Sequence, residues 1–140
     1  MSKITAYLDT DILYEIVNNK FDTQKVSCIS SMQAITELFV KYNLHKEYNN
    51  LFCLIAEKVK IRCIDYEVLE KFSQIYDGNY QHAGLFLQYA VATLENCEYF
   101  ITKEKIIQIA GIKTILPVEF GSLIAFKALC SLSLISIAFI

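Results

Sequence analysis

The feature that most limits what this chain can fold into is a rhythm of short apolar runs, each too brief for a helix, alternating with stretches of helical spacing. The runs lie at residues 4–8, 25–29, 60–64, 99–101 and 113–116. Between the first two, Ile12, Leu13, Ile16 and Val17 share a helical face that ends at Asn18-Asn19. After the second, Met32, Ile35, Leu38, Phe39 and Tyr42 keep a period near 3.6. Further helices are expected at roughly 44–59, from Tyr66 onward (Val68, Leu69, Phe72, Ile75), at 80–95, at 104–109 and after Pro117. The 80–95 segment carries Leu85, Leu87, Tyr89, Ala90, Ala92 and Leu94, which leaves little solvent face and predicts burial against a sheet. Strands alternating with helices over short connections predict an α/β fold with a mainly parallel central sheet covered on both faces.

The punctuation agrees with this reading. Ser30 or Ser31 can cap the helix that starts near Met32, Asp65 the one that starts at Tyr66, and Asp77-Gly78-Asn79 forms a turn. With Gly 4 and Pro 1 in 140 residues there is no composition for a linker, and no internal repeat is visible. Residues 1–125 therefore read as one domain and 126–140 as an apolar extension, in which Ala128–Ile140 carries no charge. That tail suits a helix packed on the domain or on a second subunit; association with a membrane, Lys127 snorkelling to the interface, is the other reading left open.

Charge and cysteine usage narrow the function. The formal net charge is -2 and Arg62 is the only arginine, so a nucleic-acid partner would have to be held by lysines, a metal ion or a second subunit. Cys28, Cys53, Cys63, Cys97 and Cys130 include no CxxC pair and have no histidine at ligand spacing. Lys3 and Asp9 interrupt the apolar run a signal peptide needs, so reduced thiols and a cytoplasmic location are expected.

The acids stand where chemistry is expected. Asp9 and Asp11 follow the first apolar run, Glu37 lies on the helix after Ser30-Ser31, and Glu104 follows the run that ends in Thr102-Lys103. Parallel sheets bind ligands beyond the carboxyl ends of their strands, so Asp9, Glu37 and Glu104 are expected to converge there as a divalent-metal site. Each has a plainer reading: Asp9 or Asp11 as a helix cap, Glu37 as a solvated helical residue, Glu104 as an acid in a first helical turn.

In order and spacing these segments resemble the PIN-domain family of metal-dependent nucleases, which includes many bacterial toxin ribonucleases. LDTDILYEI resembles the family's opening strand and acidic turn, SSMQAITELF its second block, LQYAVATLENCEYFITKEK its helix, strand and Thr-x-Asp/Asn turn, and GIKTILPVEF its closing strand and helix start. The resemblance spans about residues 5–125 and implies a three-layer PIN-like fold. It makes Asp9 the first metal ligand, Glu37 the second acid and Glu104 the fourth, around Mg²⁺ or Mn²⁺, with Thr102 and Lys103 beside the substrate. A metal ion of this kind can activate water and stabilise charge on a phosphodiester.

One position departs from the pattern. Leu85 stands where the family's third acid belongs, with His82 and Gln88 nearby, and losing a carboxylate there weakens cation binding. The expected function is therefore a toxin-type RNA endonuclease with a degenerate site and weak or lost activity. The alternative is a non-catalytic module that binds RNA or protein. An antitoxin is the partner implied by the toxin role, and homo-oligomer formation through apolar helices is compatible with either reading.

Overall fold

The computed structural model describes residues 3–103 and 111–138, with side chains up to residue 130. Strands β1 (Ile4–Leu8), β2 (Val26–Ser31), β3 (Lys60–Arg62), β4 (Tyr99–Ile101) and β5 (Lys113–Ile115) form one sheet in the order β3-β2-β1-β4-β5. Every pairing is parallel. Helices α1 (Thr10–Val17), α2 (Met32–Lys41), α3 (Tyr48–Ala56), α4 (Tyr66–Ile75), α5 (Ala83–Leu94) and α6 (Pro117–Ala138) cover the two faces. The strand–helix rhythm predicts an α/β fold with a mainly parallel sheet covered on both faces, and the sheet proves to be parallel throughout.

Side-chain alternation along each strand sorts the core into two halves. Ala6 and Leu8 of β1, Cys28 of β2 and Ile101 of β4 pack with Ile12, Leu13 and Ile16 of α1, Ile35 and Leu38 of α2, Ile55 of α3 and Phe120 of α6. Their neighbours Tyr7, Ile29 and Phe100 point the other way, onto Val68 of α4 and Tyr89, Val91 and Ala92 of α5. Both layers are mostly apolar, which is why the strands read as continuous hydrophobic runs; the α5 side also buries polar groups of Ser31, Gln88 and Thr114.

Local chemistry sets the element boundaries. Ser31 caps α2 by accepting from the Ala34 amide, and Asp65 caps α4 by accepting from Val68. Helix α1 ends where Asn19 takes a left-handed φ of 56°, a conformation asparagine tolerates better than most residues. The structure refines several expected limits. β2 runs on through Ser31 because Ser30 and Ser31 pair with Ile61 and Arg62 of β3, and β3 stops at Arg62. The 44–59 segment begins with a short 3₁₀ turn at His45–Glu47 before α3, and the 80–95 segment with one at Tyr80–His82 before α5. The helix expected at 104–109 lies outside the described residues. Helix α6 passes residue 125 without a break, and its residues from Phe126 to Cys130 are exposed. Among the described residues no helix is long and apolar enough to cross a membrane.

Candidate metal-binding cleft

The strand order creates one topological switch. From β1 the chain moves to β2 and β3 on one side and later returns to β4 and β5 on the other. The carboxyl ends of β1 and β4 therefore diverge in their connections and leave a crevice between them. Asp9 follows β1 and Thr102 follows β4, and the Thr102 hydroxyl donates to Asp9 Oδ2 at 2.7 Å across that crevice. The other oxygen of Asp9 accepts from the Thr10 amide at 2.7 Å, so Asp9 is also the cap of α1. Its backbone amide bonds to the Ile101 carbonyl at 3.1 Å, which ties the turn to β4.

Glu37 reaches the same place from α2. Ser31 starts that helix directly beside β1, so Glu37 comes round to face the crevice nearly two turns later. Thr10 Oγ1 donates to Glu37 Oε2 at 2.9 Å, Gln33 Nε2 to Oε1 at 2.9 Å, and Gln88 Nε2 to Oε2 at 3.2 Å. Helix α5 approaches closely here because residue 84 is glycine: a Cβ at Gly84 would stand 2.7 Å from Glu37 Oε1.

Asp9, Glu37 and Thr102 line two adjoining hollows. One, of about 450 Å³, continues past Thr10 and Thr36 to Asp11, Val40 and Lys41. The other, of about 310 Å³, is completed by Gln81, His82, Gly84, Leu85 and Gln88. Leu85 thus borders the acidic cleft, as its place in the sequence pattern predicts.

Lys103 pairs with Glu15 at 3.1 Å. Glu104, expected to complete the acidic set, lies outside the described residues. Asp11 sits on the rim, held by Lys41 Nζ at 2.7 Å and by the Tyr42 hydroxyl at 2.6 Å. His82 is half-buried and bonded through Nδ1 to Asp77 at 2.9 Å. Sequence reading missed the roles of Thr10 and Gln33 as donors to Glu37, and of Gly84 in admitting it. Gln33 was detectable, since it precedes Glu37 by one helical turn; the contacts of Thr10 and Gly84 bring distant segments together and leave no local mark.

The electrostatics separate the two aspartates. Burial raises the pKa of Asp9 above its ordinary value of 3.8, against the bonds from Thr102 and Thr10, and the nearby Glu37 charge raises it further. Burial would also raise Asp11, but the bonds from Lys41 and Tyr42 outweigh it and its pKa is lowered. The thiols offer no competing nucleophile in the core: burial pushes Cys28 and Cys97 up to about 12.

Among the described residues no three His, Cys, Asp or Glu side chains are grouped to hold a metal ion. Asp11 and His82 are also in the lining of the adjoining hollows, and where β1 and β4 part, Asp9, Glu37 and Thr102 offer hard oxygens. Such a set suits a cation that keeps several of its own waters, as Mg²⁺ does, and does not suit zinc.

This all-parallel sheet, with acids at its switch point, defines a PIN-like α/β fold. The chain has a TM-score of 0.60 to the VapBC2 complex from Rickettsia felis bound to a DNA fragment from its promoter, at 14% identity, covering 81% of this chain and 98% of that one. It has a TM-score of 0.56 to a toxin-antitoxin complex from Klebsiella pneumoniae, at 17% identity, covering 76% and 94%. No protein-family model matches the sequence, and no curated protein does.

Proposed function

We propose that this chain is a PIN-like toxin of the toxin-antitoxin type: a metal-dependent RNA endonuclease whose active site is one carboxylate short and whose activity is weak. The observation that carries this reading is the meeting of Asp9 and Glu37 at the β1–β4 switch point, each held only by neutral donors among the described residues. Burial, with the neighbouring Glu37 charge, raises the cost of ionising Asp9, and a divalent ion offsets that cost. Bound there, Mg²⁺ or Mn²⁺ would supply an activated water and charge stabilisation on the phosphate. Asp9 and Glu37 would hold the ion, Thr102 would orient Asp9, and Glu104 would add a further acid. Lys103, now paired with Glu15, would meet the substrate backbone by exchanging partners.

Leu85 supports the degenerate part of the proposal: it lines the cleft beside Asp9 and Glu37 and brings no charge. It also favours the second reading, a PIN-like module that binds RNA or a protein partner without cutting. The toxin-antitoxin complexes among the structural neighbours support an antitoxin as partner. The test is a Mn²⁺ titration by calorimetry alongside cleavage of a structured RNA, in the wild type and in Asp9→Asn. Metal-stimulated cleavage lost in Asp9→Asn supports the enzyme. Cleavage that persists in excess chelator or in Asp9→Asn refutes the mechanism, and tight RNA or protein binding without cleavage under any metal favours the second reading.

A further inference from the structure

Behind the cleft lies a chain of buried polar side chains that the sheet has no structural need to contain. Ser31 and Tyr7 are fully buried and Gln88 is 2% exposed, all between β1, β2 and α5. The Tyr7 hydroxyl lies 2.7 Å from Ser31 Oγ and donates to Gln88 Oε1 at 3.1 Å, and Gln88 Nε2 donates to Glu37 Oε2 at 3.2 Å. Apolar side chains at positions 7 and 88 would fill this space without the cost of desolvating polar groups.

The direction of the bonds gives the chain a purpose. A carboxylate only accepts, so the amide must turn its NH₂ group to Glu37 and its oxygen to Tyr7. Tyr7 then spends its proton on Gln88, and Ser31 donates to Tyr7 while accepting from the Ala34 amide. The Ser31 and Tyr7 hydroxyl protons and one Gln88 amide proton are passed in the direction of Glu37.

We propose that Gln88 is a positioning residue for Glu37: its side-chain amide, aimed by Tyr7, fixes the Glu37 carboxylate in the cleft and acts on a bound cation only through it. The inference rests on the reading of the cleft as a divalent-cation site. Gln88 is not itself a ligand, because its one good acceptor, Oε1, faces Tyr7 and the sheet. It shares Glu37 with Thr10 and Gln33, which fix the carboxylate from α1 and from its own helix. Removing Gln88 leaves those two bonds, so Glu37 stays in the neighbourhood but loses its single orientation.

The test is Mn²⁺ affinity of the full chain, by calorimetry, for wild type, Gln88→Met, Glu37→Ala and the double variant. Methionine keeps the length and removes the donor. Gln88→Met is expected to weaken Mn²⁺ binding about ten-fold, the scale of lost ligand-orienting partners. In the Glu37→Ala background the same change should have no further effect. Unchanged affinity in Gln88→Met, or an equal loss in the absence of Glu37, overturns the proposal. A readout that needs neither metal nor a change at position 88 is the NMR signal of the Gln88 side-chain amide. In Glu37→Ala its protons should shift and exchange faster with water, and an unchanged signal overturns the proposal. Should wild type bind no Mn²⁺ at millimolar concentrations, the cation-site reading fails, and the amide signal alone decides whether Gln88 holds Glu37.

Discussion

The cleft and the β3 edge of the sheet treat their carboxylates in opposite ways. At the edge, Arg62 bonds Glu95 at 3.2 Å and Glu67 at 3.1 Å, and Lys60 bonds the other oxygen of Glu95 at 2.8 Å. In the cleft, Asp9 and Glu37 meet hydroxyls, amides and a backbone N–H, and among the described residues neither has a cationic partner. Glu95 is as sheltered as many site residues, with a side chain only 14% exposed, so burial alone does not distinguish the two regions. The distinction is the sign of what surrounds the acid. A carboxylate neutralised within the protein is structural, whereas one held by neutral donors keeps its charge available to something from outside.

The sharpest way to break this contrast is to remove charge from the cleft. Asp9→Asn should lower Mn²⁺-stimulated RNA cleavage to background, read by gel assay, while the fold is retained. Adding charge should do the reverse: Leu85→Asp, bordering Asp9 and Glu37, is expected to raise Mn²⁺ affinity on the order of ten-fold by calorimetry, and no change would remove Leu85 from the site.

At the β3 edge the expected effects concern stability. Arg62→Ala leaves Glu95 with Lys60 alone and should cost about 1–2 kcal/mol in denaturant unfolding, without altering Mn²⁺ affinity. Weakened metal binding in that variant would erase the contrast between the two regions.

The smallest effect is in the pH dependence of the metal-free protein. Asp9 has a raised pKa in the fold, so its contribution to stability is fully present below its ordinary 3.8 and is lost as pH rises through the raised value. Asp11 has a lowered pKa, so its contribution is present above 3.8 and is lost as pH falls through the depressed value. At neutral pH and without metal, Asp9→Asn is therefore expected to stabilise by on the order of 1 kcal/mol, and Asp11→Asn to destabilise by less, since solvent screens its pair with the exposed Lys41. The gain from Asp9→Asn should shrink on acidification, as followed by thermal melts across pH 3.5 to 7.

The sequence carried the fold in strong local signals. Runs such as Ile4–Leu8 and Tyr99–Ile101 are apolar because both sheet faces are covered, and Ser31, Asp65 and Pro117 mark helix starts by chemistry that acts within a few residues. The cleft was legible only in part. Asp9 and Leu85 could be placed from their neighbours, since each follows or belongs to a recognisable segment. Of the donors around Glu37, Gln33 stands one turn away on the same helix and was detectable, whereas Thr10 and Gln88 come from other helices, and ordinary polar residues announce no partner. Boundaries failed where strand pairing ran past the apolar run, as at Ser30 and Ser31, which pair with Ile61 and Arg62 of β3.

The bond from Thr102 to Asp9 joins residues 93 positions apart. Synthesis delivers Asp9 among the first residues of the domain and Thr102 only near its end, and β4 must slot in beside β1 before the two can touch. Until then β1 has one free edge and the crevice has one wall. A partly made chain on the ribosome therefore carries Asp9 and Glu37 without the wall that β4 and Thr102 supply. Long-range pairing of this kind is slow to form, so the crevice takes shape only with the completed sheet.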